Sequence, residues 1–274
     1  MASLTKTITK TVALQKFRPS PPQDLVKKII GYLNEKLSTP FDTAIDVGCG
    51  PGKSTEALSP YFKNVIGFNS TDIKENYAHR SAGLYNIIYS QGTEEHIGCL
   101  NNSVQLVTAA QCAHWFNLTK FFSETERVLT PGGVLAIYSY SLPYCLKPHD
   151  EVNRLINQLM HYTLSDYMPK QSRVLYVDKY RTKEFESFLF NKEPIERDEK
   201  SSVEVIGTIS DLTEYIRNTV TFQNYENIHG PTTASQLLQK FQNDLIEITG
   251  SKSANDAEMK IIFNFILLLG RKPF

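Results

Sequence analysis

The chain has 274 residues, 41% of them hydrophobic, and its 29 basic side chains balance 29 acidic ones. A chain of this length buries a sizeable core, and a balanced charge without a basic run argues against a nucleic-acid partner. Its four cysteines form no C-x-x-C pair and no pattern with histidines, so we predict free thiols and no metal site.

Strand-like and helix-like runs alternate between residues 22 and about 165, as they do in parallel sheets with helices on both faces. Leu25, Ile29, Leu33 and Leu37 recur every four residues and predict an amphipathic helix over 22–37. Short runs rich in β-branched and aromatic residues predict five buried strands, at 43–47, 64–68, 86–90, 104–110 and 134–140. A helical face from Phe121 to Leu129 precedes the fifth strand and is ended by Pro131-Gly132-Gly133.

The second half of the chain is less regular. Its spacing predicts helices near 152–160, 210–216 and 237–248, the second of them capped by Ser210, and strands near 202–206 and 260–269. The apolar run 261–269 is too short to span a bilayer as a helix, so we predict a buried strand and no membrane span. The N-terminus lacks the apolar core of a secretory signal, which favours a cytoplasmic protein.

A glycine-rich turn follows the first predicted strand. Asp46 is followed by Gly48, Gly50 and Gly52 at alternate positions, and glycines so placed let the backbone turn sharply and approach a ligand closely. The dinucleotide pattern G-x-G-x-x-G fails because its third glycine falls on Lys53, which disfavours a nicotinamide-dependent oxidoreductase. The P-loop pattern fails because it needs glycine at Val47.

The remaining pattern, an acidic residue before G-x-G-x-G, resembles the first motif of the Rossmann-like S-adenosylmethionine-dependent methyltransferases. Other segments extend the likeness to most of the chain, so that it resembles a class I methyltransferase of the trans-aconitate methyltransferase-like group. These segments are FRPSPPQDL (17–25), AIDVGCGPGKST (44–55), KNVIGF (63–68), LVTAAQCAHWFN (106–117), RVLTPGGVLAIYSYS (127–141) and ILLLGRK (266–272).

The resemblance implies a Rossmann-like, doubly wound, mostly parallel seven-stranded sheet with an elaborated C-terminal half covering the site. We expect one domain, with an N-terminal arm (1–22), a cofactor-binding half (23–145), substrate-cover segments (146–250) and a final strand (251–274). The resemblance also implies cofactor-binding residues, namely Asp46, Gly48, Gly50, Gly52, Asn69, Gly92, Thr93 and Gln111.

Asn69 departs from the family pattern, which usually has Asp or Glu at the end of the second strand. An amide has one acceptor oxygen and no charge, so each of its hydrogen bonds to the ribose hydroxyls should be weaker. Asp72 is an alternative partner if the turn bends back.

His114 and Trp115 are the predicted catalytic residues. At the end of the fourth strand Trp115 would offer its ring to the sulfonium and contact the substrate, and His114 would hold or deprotonate the acceptor. A packed, purely structural histidine is the alternative. Arg18 is a candidate anchor for an anionic substrate.

The sequence therefore predicts an S-adenosylmethionine-dependent methyltransferase acting on a small-molecule acceptor, with O-methylation of a carboxylate as the favoured reaction. A carboxylate is already ionised at neutral pH and needs no general base, whereas a hydroxyl acceptor would need one. The alternative, suggested by Asn69, is a non-catalytic or weakly active binding protein that keeps the fold.

Overall fold

The structure, a computed structural model, describes residues 18–70, 83–147, 150–186, 188 and 194–274. Its described residues fall into two compact units. The larger unit draws on residues 20–141, 174–201 and 264–274, and the smaller unit on residues 18–19, 142–173 and 202–263.

The secondary structure alternates through the first half of the chain and then becomes mainly helical. The strands are β1 (Phe41–Val47), β2 (Phe62–Asn69), β3 (Ile87–Gln91), β4 (Val104–Ala110), β5 (Leu129–Tyr140), β6 (Tyr144–Lys147), β7 (Glu196–Asp198), β8 (Ser202–Thr208) and β9 (Glu258–Arg271). The helices are α1 (Gln23–Asn34), α2 (Lys53–Leu58), α3 (Leu118–Val128), α4 (Asp150–Asn157), α5 (Lys170–Tyr176), α6 (Lys183–Glu186), α7 (Ile209–Arg217) and α8 (Val220–Thr249). A π-helical stretch, Gln158–Thr163, follows α4.

The sheet of the larger unit has the order β3-β2-β1-β4-β5-β9, and β7 also pairs with β9. The first five strands pair in parallel, whereas β9 runs antiparallel to β5. Because parallel strands end at the same edge, Val47, Asn69, Gln91 and Ala110 lie along one side of the sheet. Ligands of such sheets bind at this edge, where the strand order reverses between β1 and β4.

The core of the larger unit forms because apolar side chains meet from strands and helices. α1 buries Leu25, Val26, Ile29 and Leu33 on one face, as its four-residue spacing requires. On α3, Asn117 caps the first turn by accepting a hydrogen bond from the backbone N–H of Lys120. The core then packs β-branched strand residues against α3 aromatics, among them Ile45, Val107, Ile137, Phe121 and Phe122.

In the smaller unit, β6 pairs antiparallel with the first part of β9, and β8 also pairs with β9. The helix α7 begins with a capping box in which Thr208 and Asp211 exchange hydrogen bonds with each other's backbone N–H. The long helix α8 is kinked at Gly230, whose φ of 83° precedes Pro231.

The structure confirms the doubly wound α/β fold and contains all seven predicted strands, but it also corrects several details. The strands β6 and β7 were missed because segments of four and three residues are too short to show alternation. Thr208, and not Ser210, caps α7. α1 ends at Asn34 and not at residue 37, and β5 begins at Leu129, before the predicted residue 134. The assignment of one domain with a substrate cover over 146–250 stays a prediction.

Arg271 near the end of β9 ties the C-terminal strand to its surroundings in the larger unit. Its guanidinium is 7% exposed, donates to the carbonyl oxygens of Gly132 and Tyr32, and pairs with Glu35. It also lies 4.3 Å above the centre of the Tyr32 ring. Both carbonyl groups would lose a charged donor if the side chain were shortened.

We therefore expect Arg271→Gln to lower the free energy of unfolding by about 2–4 kcal/mol, since it breaks three charged hydrogen bonds of a largely buried guanidinium at once. The control is Lys63→Gln, which removes an exposed ion pair with Asp42 and should cost less than about 1 kcal/mol. Urea unfolding of both variants measures the difference. Equal costs would contradict the anchoring role of Arg271.

Candidate functional site

The glycine-rich turn joins β1 to α2, and Gly48, Gly50 and Gly52 all have positive φ, of 69°, 49° and 85°. Gly52 is the N-cap of α2, and a Cβ there would clash with the hydroxyl of Tyr89. A Cβ on Gly50 would meet nothing closer than the carbonyl oxygen of Gly48, at 3.9 Å. Gly52 is therefore required by packing, whereas Gly50 faces open space into which a ligand can come close.

Asp46 lies at the end of β1 and is completely buried. Its Oδ2 accepts hydrogen bonds from the hydroxyls of Ser54 (2.5 Å) and Thr55 (2.7 Å) on α2, and its Oδ1 accepts one from Thr108 on β4 (2.8 Å). Burial raises the pKa of this carboxyl, although the three hydroxyls partly oppose that shift. The carboxyl thus fixes both ends of the glycine turn. A direct contact between Asp46 and the cofactor stays a prediction.

Asn69, Gly92 and Thr93 lie together at the edge where β2 and β3 end. Asn69 pairs with Gln91 across the two strands, and its carbonyl oxygen accepts a hydrogen bond from the N–H of Gly92 (3.0 Å). Gly92 packs so closely on Phe68 that a Cβ would lie 2.7 Å from that ring. A cavity of about 460 Å³ lies here, and its lining includes Phe68, Gly92 and Thr93. Its volume is within the range of small-molecule sites.

Gln111 follows β4 and has a φ of 58°. Its side-chain amide accepts from the backbone N–H of Tyr140 (2.9 Å) and donates to the carbonyl oxygen of the same residue (3.3 Å). The Gln111 backbone N–H donates to Tyr138, so the residue extends the pairing of β4 with β5 beyond the end of β4. Its predicted cofactor contact stays a prediction.

The loop after β4 rests directly on the glycine turn. The thiol of Cys112 donates to the carbonyl oxygen of Val47 (3.1 Å), and a Cβ on Gly48 would lie 2.8 Å from the Cys112 sulfur. Burial raises the pKa of Cys112 well above its usual value, so the group is a neutral thiol that can donate. The resemblance places Cys112 within the stretch from Gln111 to Trp115 that faces the cofactor and substrate, but its packing against the glycine turn was not predicted.

His114 is buried, with 9% of its surface exposed, and its Nδ1 lies 2.8 Å from the hydroxyl of Tyr180. That hydroxyl lies 2.8 Å from the Oγ of Ser139 on β5. Burial lowers the pKa of His114 to about 4, so the imidazole is neutral at physiological pH. The neighbouring Trp115 ring has its centre 5.3 Å from that of His114 and is 45% exposed.

Sequence reasoning missed Ser139 and Tyr180. Tyr180 lies 66 residues from its partner His114 in a segment without a periodic pattern, so no sequence signal identifies it. Arg18 is exposed and belongs to the smaller unit, so its substrate contact stays a prediction. Asp72 lies outside the described residues.

The described part of the chain holds neither a metal-binding cluster nor a membrane-spanning helix. No three His, Cys, Asp or Glu side chains there are grouped so that they could hold a metal ion. No helix in the same residues is long and apolar enough to cross a membrane.

The strand order and the glycine turn at the carboxyl edge of the sheet define a class I methyltransferase fold. The family model for a methyltransferase domain matches residues 45–137. A candidate type II methyltransferase from Anaeromyxobacter dehalogenans shares the fold, with a TM-score of 0.70 and 23% identity over 94% of this chain and 100% of that one. Residues 45–137 therefore match a methyltransferase domain in sequence, and the chain shares the fold of class I methyltransferases.

Two curated relatives agree with this identification. The chain is 34% identical over 165 residues to a candidate methyltransferase of Dictyostelium discoideum, a match that covers 60% of this chain and 59% of that one. It is 31% identical over 132 residues to a candidate S-adenosylmethionine-dependent methyltransferase of Saccharomyces cerevisiae, covering 46% and 44% of the two chains. The matches thus span about half the length of these relatives. Membership of the trans-aconitate methyltransferase-like group stays a prediction.

The lowered pKa of His114 links its burial to the stability of the protein. Between pH 7 and pH 5 an unfolded histidine, with a pKa near 6.5, takes up a proton, whereas folded His114 with a pKa of about 4 does not. We therefore expect His114 to reduce the free energy of unfolding by about 2 kcal/mol as the pH falls over this range.

His114→Gln removes this dependence and keeps a side chain that can bond to Tyr180. Urea unfolding of the native protein and the variant at both pH values measures the effect as a difference, in which the contributions of other titrating groups cancel. The same pH dependence in both proteins would show that His114 is not held neutral by burial.

Proposed function

We propose that this protein transfers the methyl group of S-adenosylmethionine to a small-molecule acceptor, and that the acceptor is a carboxylate. The observation that carries the proposal is the glycine turn of a methyltransferase domain with Gly50 facing open space at the edge of the sheet. The protein is expected to act in the cytoplasm, without a nucleic-acid partner.

The residues along this edge fit the cofactor. Gly50 lets the backbone approach the methionine and ribose portions, Asn69 lies where the ribose hydroxyls are bound in the family, and Gly92-Thr93 lie beside a cavity of about 460 Å³ for the adenine. The bound cofactor supplies an electrophilic methyl group on a sulfonium. The protein's own contribution is to orient the two reactants and exclude water.

A neutral His114 supports a carboxylate acceptor over a hydroxyl. A general base works best when its pKa lies near the operating pH, and burial lowers that of His114 to about 4. A carboxylate has no proton to lose at neutral pH, so it needs a group that holds its oxygen and no base. The new bond forms between carboxylate oxygen and methyl carbon as the carbon–sulfur bond breaks, and the sulfur keeps that electron pair.

The second candidate is a non-catalytic or weakly active binding protein with the methyltransferase fold. Asn69 favours it, because a neutral amide replaces the acid that usually holds the ribose. Mass spectrometry of the purified protein for co-bound S-adenosylmethionine or S-adenosylhomocysteine distinguishes a protein that binds the cofactor from one that has lost this ability.

The deciding experiment is transfer of a labelled methyl group from S-adenosylmethionine to panels of carboxylic acids, phenols and amines. We expect labelled esters from the acids alone. Labelled phenol ethers or methylamines would reject the carboxylate. Absence of transfer to every panel, with the cofactor bound, would favour the second candidate.

Gly50→Ala should weaken binding of S-adenosylmethionine at least about tenfold, because the new Cβ enters the space that the ligand needs. Gly250→Ala is the matched control: it has a φ of 64° and nothing within 4 Å of a Cβ, but it ends α8 far along the chain. Each variant places a Cβ on a residue with positive φ, which costs about 1–2 kcal/mol of stability in both proteins, so this strain does not distinguish them. Calorimetry that finds equal affinities for the two variants would contradict the role of Gly50.

Asn69→Asp should strengthen cofactor binding by about 0.5–1.5 kcal/mol, since a carboxylate gives charge-assisted hydrogen bonds to the ribose hydroxyls. Asn69→Ala, which removes the acceptor, should weaken binding. Calorimetry on the three proteins measures the order. Weaker binding by the aspartate variant would mean that the ribose is held by another residue.

A further inference from the structure

Three buried polar side chains of the larger unit form a continuous hydrogen-bonded row. Ser139 Oγ, Tyr180 Oη and His114 Nδ1 follow one another at 2.8 Å per step. Each hydroxyl has one proton to give, and the neutral imidazole has one N–H and one acceptor nitrogen. The direction of the row therefore decides which nitrogen of His114 carries the proton.

Ser139 sets that direction. Its side chain lies on β5 with only 1% of its surface exposed, and among the residues that the structure describes Tyr180 is the one hydrogen-bond partner of its hydroxyl. A buried hydroxyl that gives its proton to no acceptor loses about 1–3 kcal/mol, so the Ser139 proton goes to Tyr180 Oη. Tyr180 then has its own proton left for His114 Nδ1.

Tyr180 is held in a fixed position, so that its hydroxyl stays between Ser139 and His114. It is 1% exposed, its ring centre lies 4.5 Å from that of Phe185, and its backbone N–H donates to Val174 (2.8 Å). Lys179 and Tyr180 both have left-handed φ, of 52° and 57°, a costly pair of conformations that turns the chain sharply before the ring. Burial raises the pKa of the phenol, so it stays protonated and able to donate.

We propose that Tyr180 donates a hydrogen bond to Nδ1 of His114 and thereby holds the imidazole as its Nε2–H tautomer, which offers a hydrogen-bond donor to an anionic oxygen of the methyl acceptor. Tyr180 is a positioning residue that acts through His114. The part of this inference that concerns the methyl acceptor rests on the proposed function. The assignment of the His114 tautomer does not.

The tautomer narrows the substrate class. No described residue forms a hydrogen bond with Nε2, which leaves its N–H for a ligand. An N–H donor matches an oxygen with free lone pairs, such as that of a carboxylate, and cannot remove a proton from a phenol or alcohol. The row therefore selects acceptors that arrive already ionised.

Nitrogen-15 NMR of the full chain with labelled histidine tests the tautomer without any turnover. The signals of His114 are assigned by their loss in His114→Gln. We expect a protonated Nε2 and an unprotonated Nδ1 in the native protein at pH 7, and a mixture of tautomers in Tyr180→Phe, which removes only the hydroxyl. A protonated Nδ1 in the native protein would overturn the inference.

Two further variants separate positioning from packing. Ser139→Ala removes the other possible acceptor of the Tyr180 proton, so Tyr180 should still donate to Nδ1 and the Nε2–H tautomer is expected to persist. A protonated Nδ1 in this variant would reject the proposed direction of the row, so the native protein and Ser139→Ala decide the question if Tyr180→Phe does not fold. Phe185→Leu loosens the packing around the Tyr180 ring and keeps its hydroxyl, so it should lower the melting temperature and leave the tautomer unchanged. Tautomer mixing in Phe185→Leu to the same extent as in Tyr180→Phe would reject the Tyr180 hydroxyl as the cause.

The second test measures the rate of methyl transfer to the acceptor. With a carboxylic acid that is methylated, Tyr180→Phe should lower kcat about tenfold, the equivalent of one lost hydrogen bond, with the Kd for S-adenosylhomocysteine unchanged. The rate of the native protein should show no ionisation between pH 6 and 7. A native Nε2–H tautomer together with no methylation of any acid would reject the proposed function but support the tautomer, so the two failures are distinguishable.

Discussion

The buried carboxyl of Asp46 is the contact on which the candidate site depends, because it joins three elements at the edge of the sheet. Asp46 is the last residue but one of β1, and its carboxyl accepts hydrogen bonds from two hydroxyls in the first turn of α2 and from a third on β4. Burial of a carboxyl is costly, and three donors reduce that cost. The first turn of a helix also favours a negative charge. The glycine turn is thus tied at both ends, so its positive φ values are held by the surrounding structure and not by the glycines alone.

The loop after β4 packs on this turn, so the predicted cofactor-binding residues and the predicted acceptor-binding residue are structurally connected. Cys112 bonds to Val47 and fills the space beside Gly48, while the side chain of Gln111 continues the pairing with β5. His114 follows within the same loop. The turn expected to hold the cofactor and the histidine expected to hold the acceptor therefore share one rigid support, and reactive groups need such a support to stay aligned.

The sequence predicts the parts of this protein that rest on local patterns. Glycine spacing identified the turn, and hydrophobic runs identified all five parallel strands, because both are consequences of short-range geometry. The same patterns did not show that the glycines have different roles, because the side chain that leaves no room for a Cβ on Gly52 belongs to Tyr89 on another strand. Nor did they find Tyr180, because a hydrogen bond to a residue 66 positions away leaves no periodic trace.

The charge state of these residues bears on the reaction that we propose. Asp46 is enclosed by protein hydroxyls, Asn69 is an uncharged amide, and burial keeps His114 neutral. Methyl transfer from a sulfonium to a carboxylate destroys one positive and one negative charge as the transition state forms. Water stabilises the separated ions more than this less polar transition state, so a site that excludes water and adds no opposing charge favours the transfer. A hydroxyl acceptor would gain less, because it must first lose a proton to a base that His114, held neutral by its surroundings, does not provide.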